Sequence, residues 1–274
     1  MKKNSLLLLG AFALFACESD NNVPDLTAPV ITLVEPHEGD LVEAGSHIHV
    51  IGTVTDDEDL GMLNITVHDN FNGHGHGRKL AAFSINQSLS MTGTLFDLDH
   101  EILVAEDATA GPYHVVLQAT DAVGNGTSFE DGSSQEREIW ITNTSMAITH
   151  FENELGEEVT HYEATAGAAL SFYGLIEDQV GTIEHVTVYV EHLELADHDH
   201  SHARTLAETA VYEKDFELGG VESVRIEDLL ANESIIVSQD YLDQLATDEH
   251  LSLIILSKDT DGNFSRFSIE LHFD

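Results

Sequence analysis

The chain has 274 residues, with 50 aspartates and glutamates against 10 lysines and arginines, a formal net charge of −40 at pH 7. Such a surface repels nucleic acid and anionic headgroups and gathers cations, so no nucleic-acid partner is expected. A single cysteine excludes a disulfide framework and a multi-thiolate metal site, and the length suits two domains better than one.

Lys2 and Lys3 precede an apolar run too short to cross a bilayer, which ends at Leu14, Phe15, Ala16 and Cys17. Residues 1–16 have the layout of a lipoprotein signal peptide. Cys17 sits where a lipobox places the lipidated residue. Residues 17–27 follow as an acidic tether, in which Glu18 and Asp20 look like the export tag of surface lipoproteins. The expected location is the outer membrane, lipid-anchored and exposed at the cell surface.

From residue 28 the chain alternates with a period of two. Val30, Thr32 and Val34 oppose Ile31 and Leu33 in a first strand that breaks at Pro36. Ile48, Val50 and Val54 share a core parity, which leaves His47, His49 and Thr53 on the outer face. After an acidic turn at 56–59, Leu63, Ile65 and Val67 point inward while Asn64, Thr66 and His68 point outward. Residues 79–90 and 91–104 give two less regular strand-like runs, and 106–112 a turn. Tyr113, Val115, Leu117 and Ala119 then alternate with His114, Val116 and Gln118. Residues 121–125 close a hairpin and 137–142 supply a last strand. Short alternating strands between turn signals predict an antiparallel sandwich.

The pattern restarts near residue 146. Residues 54–57, followed by Met62, Ile65 and Val67, match residues 175–178, followed by Ile183, Val186 and Val188, at a constant shift of 121. Residues 73–79 correspond to 198–204, and 121–125 to 259–263 at a shift of 138. Each repeat therefore carries a His-rich loop after the same strand. The expected organisation is all-β: a signal peptide (1–16), a lipidated tether (17–27) and two tandem immunoglobulin-like antiparallel β-sandwich domains, 28–145 and 146–274.

The stretch from His68 to Gly77 departs most from an ordinary β-domain. His74 and His76 stand two residues apart among glycines, so in an extended backbone both rings leave one face, about 6–7 Å apart. Imidazole is the commonest protein metal ligand. In an immunoglobulin-like order the strand ending at His68 neighbours the one holding His114, and both have outward parity. His68, His74, His76 and His114 are thus expected to gather a three- or four-nitrogen site suited to zinc or copper. His100 shares the parity of Phe96, Leu98 and Ile102, which places it in the core unless a bulge turns it. In the second repeat Tyr189 takes the place of His68, and His192, His198, His200, His202 and His250 are the available nitrogens. Loops of merely solvated histidines are the competing interpretation. The acidic turns at 56–59 and 259–261 are candidates for weak calcium binding. Residues 259–270 are not a helix-loop-helix calcium site, because Phe264 stands where that loop needs glycine.

At residues 68–76 and 113–125 the chain resembles a Bacteroidota lipoprotein family catalogued as domain of unknown function 4625. That family carries a His-Asn-Asn-Phe-Asp-Gly-His-x-His core and a downstream Tyr-His strand ending in an Asp-x-x-Gly-Asn turn. The matching positions are His68, Asn70, Phe71, Gly73, His74 and His76, then Tyr113, His114, Asp121, Gly124 and Asn125. Asp69 and Asn72 depart from the pattern, exchanging an amide and a carboxylate while every histidine is kept. The resemblance covers residues 25–145 and the second repeat only in outline. It implies a surface β-sandwich lipoprotein and carries no activity with it.

No GxSxG elbow, phosphate-cradling glycine loop, dinucleotide fingerprint or HExxH signature occurs, so no enzyme is expected. The expected function is a surface lipoprotein that binds a divalent transition metal, zinc or copper, through its His-rich loops. It would either pass the metal to an outer-membrane transporter or buffer an excess. The alternatives are a tandem sandwich that holds a glycan or a partner protein as an adhesin, and a structural stalk.

Overall fold

The computed structural model describes residues 24–71, 83–193, 211–245 and 250–273. The signal peptide, Cys17, His74, His76, His198, His200 and His202 lie outside the described residues.

The alternation read in the first half builds eight strands: β1 (Val30–Glu35), β2 (Asp40–Glu43), β3 (His47–Thr55), β4 (Leu60–Asp69), β5 (Ile85–Ser90), β6 (Leu95–Leu103), β7 (Gly111–Asp121) and β8 (Gln135–Thr142). They form a three-stranded sheet, β1-β3-β6, and a five-stranded sheet, β2-β8-β7-β4-β5. This division, with β4, β7 and β8 adjacent in one sheet, is the immunoglobulin-like order. Ile48, Val50 and Val54 of one sheet meet Leu63, Ile65, Val67, Val115, Leu117, Ile139 and Ile141 of the other in a single cluster. Their period of two is why each strand has only one face to bury. Tyr113 is fully buried near the start of β7, and its hydroxyl donates to the Thr109 carbonyl at 2.9 Å. A tyrosine tied back to the chain just upstream marks the same corner in immunoglobulin-type sandwiches. β2 pairs with β8 in parallel, so the sandwich is not wholly antiparallel.

The second half repeats the order. β9 (Ile148–Glu152), β12 (Tyr173–Glu177) and β15 (Ser223–Arg225) make the smaller sheet. The larger runs β10 (Tyr162–Ala164), β18 (Phe264–Phe273), β17 (His250–Asp259), β13 (Ile183–Leu193), β14 (Tyr212–Val221), with β10 parallel to β18. A short pair, β11 (Ala169–Leu170) with β16 (Ile235–Ile236), has no counterpart in the first half among the described residues. Its core is a separate cluster around Ile176, Val186, Val188, Val190, Leu253 and Ile255. Between β15 and β17 lie two four-residue helices, α1 (Ile226–Leu229) and α2 (Gln239–Leu242), inside the insertion that the growing repeat shift had indicated. Buried Ile226 anchors the first, and Ser238 caps the second by accepting from the Tyr241 amide.

The register of the repeat differs from the sequence alignment. Gly52 and Gly174 hold the same place, each so close to the neighbouring strand that an added Cβ would meet a carbonyl oxygen at 2.3 Å. That fixes the shift at 122 on β3 and β12. Leu60 faces Asp121 and Ile183 faces Asp259, so β4 maps on β13 at a shift of 123. The turn after Asp56 has three residues before Leu60, and the one after Asp178 has four before Ile183. The partner of His68 in the second half is therefore Glu191, not Tyr189, and the partner of His114 is Ser252. This corrects the alignment at a shift of 121, which followed apolar identities across turns of unequal length.

The halves touch where Phe264 and Asn263 meet Ala110 and Asn143. Phe264 N donates to the Ala110 carbonyl at 2.8 Å, and Asn263 Oδ1 accepts from Ala110 N at 3.0 Å and from Asn143 Nδ2 at 2.8 Å. The Phe71 ring bridges Tyr113 and Phe264, with centroids at 5.3 and 5.2 Å. Phe71, noted as part of the His-rich motif, thus serves packing at this contact.

Candidate metal centre

β4 and β7 are hydrogen-bonded neighbours, and His68 faces His114 directly across the ladder. Both leave the outer face because Val67 and Val115 beside them are committed to the core. Their rings stand 5.5 Å apart, edge to face at 88°. Two imidazoles on one tetrahedral zinc, each with a Zn–N bond of about 2.0–2.1 Å, hold their ring centres about 5 Å apart. The pair stands about half an ångström beyond that spacing.

The two histidines differ in surroundings. His68 is exposed, whereas the His114 side chain is 8% exposed under two carboxylates of β8. His114 Nδ1 lies 3.2 Å from Glu136 Oε1, and Nε2 lies 3.6 Å from Glu138 Oε2. Glu138 is itself held: Asn70 Nδ2 donates to Oε2 at 2.9 Å and Trp140 Nε1 donates to Oε1 at 3.2 Å. Glu136, Glu138 and Trp140 reach this face because β8 alternates and Ile139 and Ile141 go to the core. Burial disfavours the charged His114 imidazole, but Glu138, Glu136 and Glu38 outweigh it, and the net shift of its pKa is upward. For Glu138, burial pushes upward, yet His114, Asn70 and Trp140 prevail and the carboxyl sits below its ordinary value.

This arrangement suits metal ligation in a specific way. A ligating histidine commonly gives its second ring N–H to a carboxylate, which fixes tautomer and orientation. Glu136 at 3.2 Å from Nδ1 is placed for that role. On the Nε2 side the Glu138 carboxylate stands 3.6 Å away, and an ion bound there would take its place opposite the ring. β4 then runs on through Asn70 and Phe71 into the segment holding His74 and His76.

The other histidines are placed elsewhere. His100 Nε2 is 2.6 Å from Gln87 Oε1 and half-buried, a satisfied histidine of the sandwich rim and not a member of the His68 cluster. His47 and His49 are exposed on the outer face of the opposite sheet. The backbone of His192 pairs with Leu251. His250 is exposed at the start of β17, with Nδ1 3.1 Å from Glu270 Oε1, and Glu270 stands opposite Ser252 as Glu138 stands opposite His114. With Glu191 and Ser252 where the first half has His68 and His114, the second half does not reproduce the histidine pair. Glu136, Glu138 and Asn70 went unremarked in the sequence. The signal for the two carboxylates was the period of two along β8, which puts both on the face of His114.

Comparison with known proteins follows these features. The model of DUF4625, Domain of unknown function (DUF4625), matches residues 15–142. No curated protein matches the chain. Among solved structures, the chain is similar to the fibronectin(III)-like modules of Clostridium thermocellum CbhA, at 12% identity and a TM-score of 0.27 over 89% of this chain and 94% of that one. It is also similar to a chimeric titin Z1Z2-Z1Z2 tandem, at 12% identity and 0.28 over 89% and 99%. The sialic acid binding region of the Streptococcus sanguinis SK1 adhesin, bound to 3'sLn, gives 12% identity and 0.28 over 92% and 78%.

Proposed function

For a chain whose residues 15–142 match this family's model, we propose a metal-binding surface lipoprotein. Its first sandwich takes up a divalent transition ion, zinc or copper, through His68 and His114 with His74 and His76. The observation that carries this is the cross-strand pair, with ring centres 5.5 Å apart and His114 braced by two carboxylates. Anchored by Cys17 in the outer membrane, the protein would gather the ion outside the cell for an outer-membrane transporter or hold an excess. The strongly acidic surface favours arrival of cations of any kind, and the imidazoles supply the preference for borderline-soft ions.

A glycan-binding alternative finds less support. Phe129 is the one exposed aromatic side chain among the described residues, and it lies in the β7–β8 connection, so no row of rings lines a sheet.

Calorimetric titration of metal-stripped protein with zinc and copper tests the proposal. Wild type should bind at about pH 7.5 and weaken towards about pH 5.5, because protons compete for imidazoles whose reference pKa is about 6.5. His74→Ala/His76→Ala should lose most of the affinity. Equal affinity in wild type and double variant would refute the site.

A further inference from the structure

At the end of the first sandwich opposite the histidines, three carboxylates converge from distant parts of the chain. Asp25 comes from the segment before β1, Asp56 from the β3–β4 turn and Asp121 from the end of β7, and one oxygen of each lies within 4.8 Å of the others. Asp121 is fixed by its own turn, Oδ1 accepting from the amides of Val123, Gly124 and Asn125 and Oδ2 from Asn125 Nδ2 at 2.6 Å. Asp25 Oδ1 accepts from Thr27 N and Asp56 Oδ1 from Glu58 N. Asp56 Oδ2 is buried and has no partner.

The second sandwich repeats this at the same topological place. Asp178 follows β12 as Asp56 follows β3, Asp259 ends β17 as Asp121 ends β7, and Asn143 precedes β9 by five residues as Asp25 precedes β1. Asn143 Oδ1 accepts from Ser145 N just as Asp25 Oδ1 accepts from Thr27 N. Asp178 is 4% exposed; its Oδ1 accepts from Val180 N and Gly181 N, and its Oδ2 is buried without a partner. A Cβ on Gly181 would stand 2.9 Å from that orphan oxygen and 3.5 Å from Asp261 Oδ2, so both carboxylates flank this glycine. Asp259, 1% exposed, has both oxygens held by Asn263. Burial first, with Asp178 adding to it, pushes the Asp259 carboxyl up. The lysine and arginine ion pairs among the described residues go to Glu152, Glu184, Glu227 and Glu233, so none neutralises these aspartates.

A buried carboxylate oxygen with no donor is costly, and close carboxylates repel. Recurrence of the orphan oxygen beside other carboxylates at one place in two divergent repeats points to a common ligand, and a bound cation relieves both costs. All the available donors are oxygens, which suit a hard ion. Calcium binds oxygen at about 2.3–2.6 Å, so two of its ligands lie no farther apart than about 4.6–5.2 Å. We propose that each sandwich holds a calcium ion here: Asp25, Asp56 and Asp121 of the first already stand within that limit, while Asp178, Asp259 and Asp261 of the second would draw together around theirs. The second site adjoins Asn263, which bonds to Ala110 and Asn143 of the first half, so its ion also stiffens the contact between the halves.

The test uses the full chain stripped with chelator and titrated with calcium chloride, reading heat and melting temperature. Wild type should bind two ions, and its melting temperature should climb with calcium. Asp56→Asn and Asp178→Asn should each lose one ion. In chelator both variants should melt no lower than wild type, since the orphan oxygen serves only the ion. Affinity of the first site should hold between about pH 7.5 and 5.5, because carboxylates titrate nearer 4, and binding at both should survive His74→Ala/His76→Ala. No heat and no thermal shift at millimolar calcium would overturn the proposal. So would wild-type stoichiometry in either variant, or a variant unfolded in chelator.

Discussion

Replacing Glu138 with Gln in metal-free protein isolates the forces that hold the His68–His114 face. The amide keeps the shape but puts an NH2 where Glu138 now only accepts, opposite Asn70 Nδ2 or Trp140 Nε1. It also removes the foremost of the groups that raise His114. Losing a charge-assisted hydrogen bond at this half-buried position costs about 1.5–3 kcal/mol. At about 2–4 °C per kcal/mol for a chain of this order, the melting temperature should fall by about 3–12 °C. The pH dependence has a definite sign. His114 is raised in the folded protein, so its contribution is complete below the unfolded histidine value, about 6.5, and is lost as pH rises through the folded pKa. Glu138 is depressed, so its contribution is complete above the unfolded glutamate value, about 4.3, and is lost as pH falls through the folded one. The variant's cost should therefore be greatest at about pH 5–6 and smaller at about pH 8.5. The His114 ring, followed by NMR, should titrate at lower pH than in wild type. A cost independent of pH, or an unmoved His114, would refute this account.

Tyr113→Phe removes the donor to Thr109 and should lower stability by about 0.5–1.5 kcal/mol in chemical denaturation, the carbonyl being partly open to water; no change would deny the corner its role. Residues 25–145 alone should fold with a cooperative melt, at a lower temperature than in the full chain because Ala110 and Phe71 lose Asn263 and Phe264; an unfolded fragment would contradict two separate cores. Cys17→Ala should give unprocessed or released protein in cell fractionation, and normal membrane attachment would count against lipidation.

The sandwich order and the meeting of His68 with His114 could be read in the sequence because both follow from the period of two and one sheet topology. Once Val67 and Val115 are committed to the core, the neighbouring histidines have only the outer face. Glu136 and Glu138 were equally constrained, yet a glutamate on a strand in so acidic a chain looks like ordinary solvated charge. The register slip in the repeat arose at a turn, where a single extra residue leaves no trace in hydrophobic alternation. The carboxylate trio was hidden for a different reason. Asp25 lies in what reads as tether, and only the closing of the sandwich brings it to Asp56 and Asp121. The short helices α1 and α2 are four residues each, too brief for a helical period to show.

X-ray absorption at the zinc edge of the zinc-loaded full chain tests the central claim most directly. The account predicts a first shell dominated by nitrogen at about 2.0–2.1 Å with the outer scattering of imidazole rings, and its loss in His68→Ala/His114→Ala. A shell of oxygen alone, or one unchanged in that variant, would contradict it.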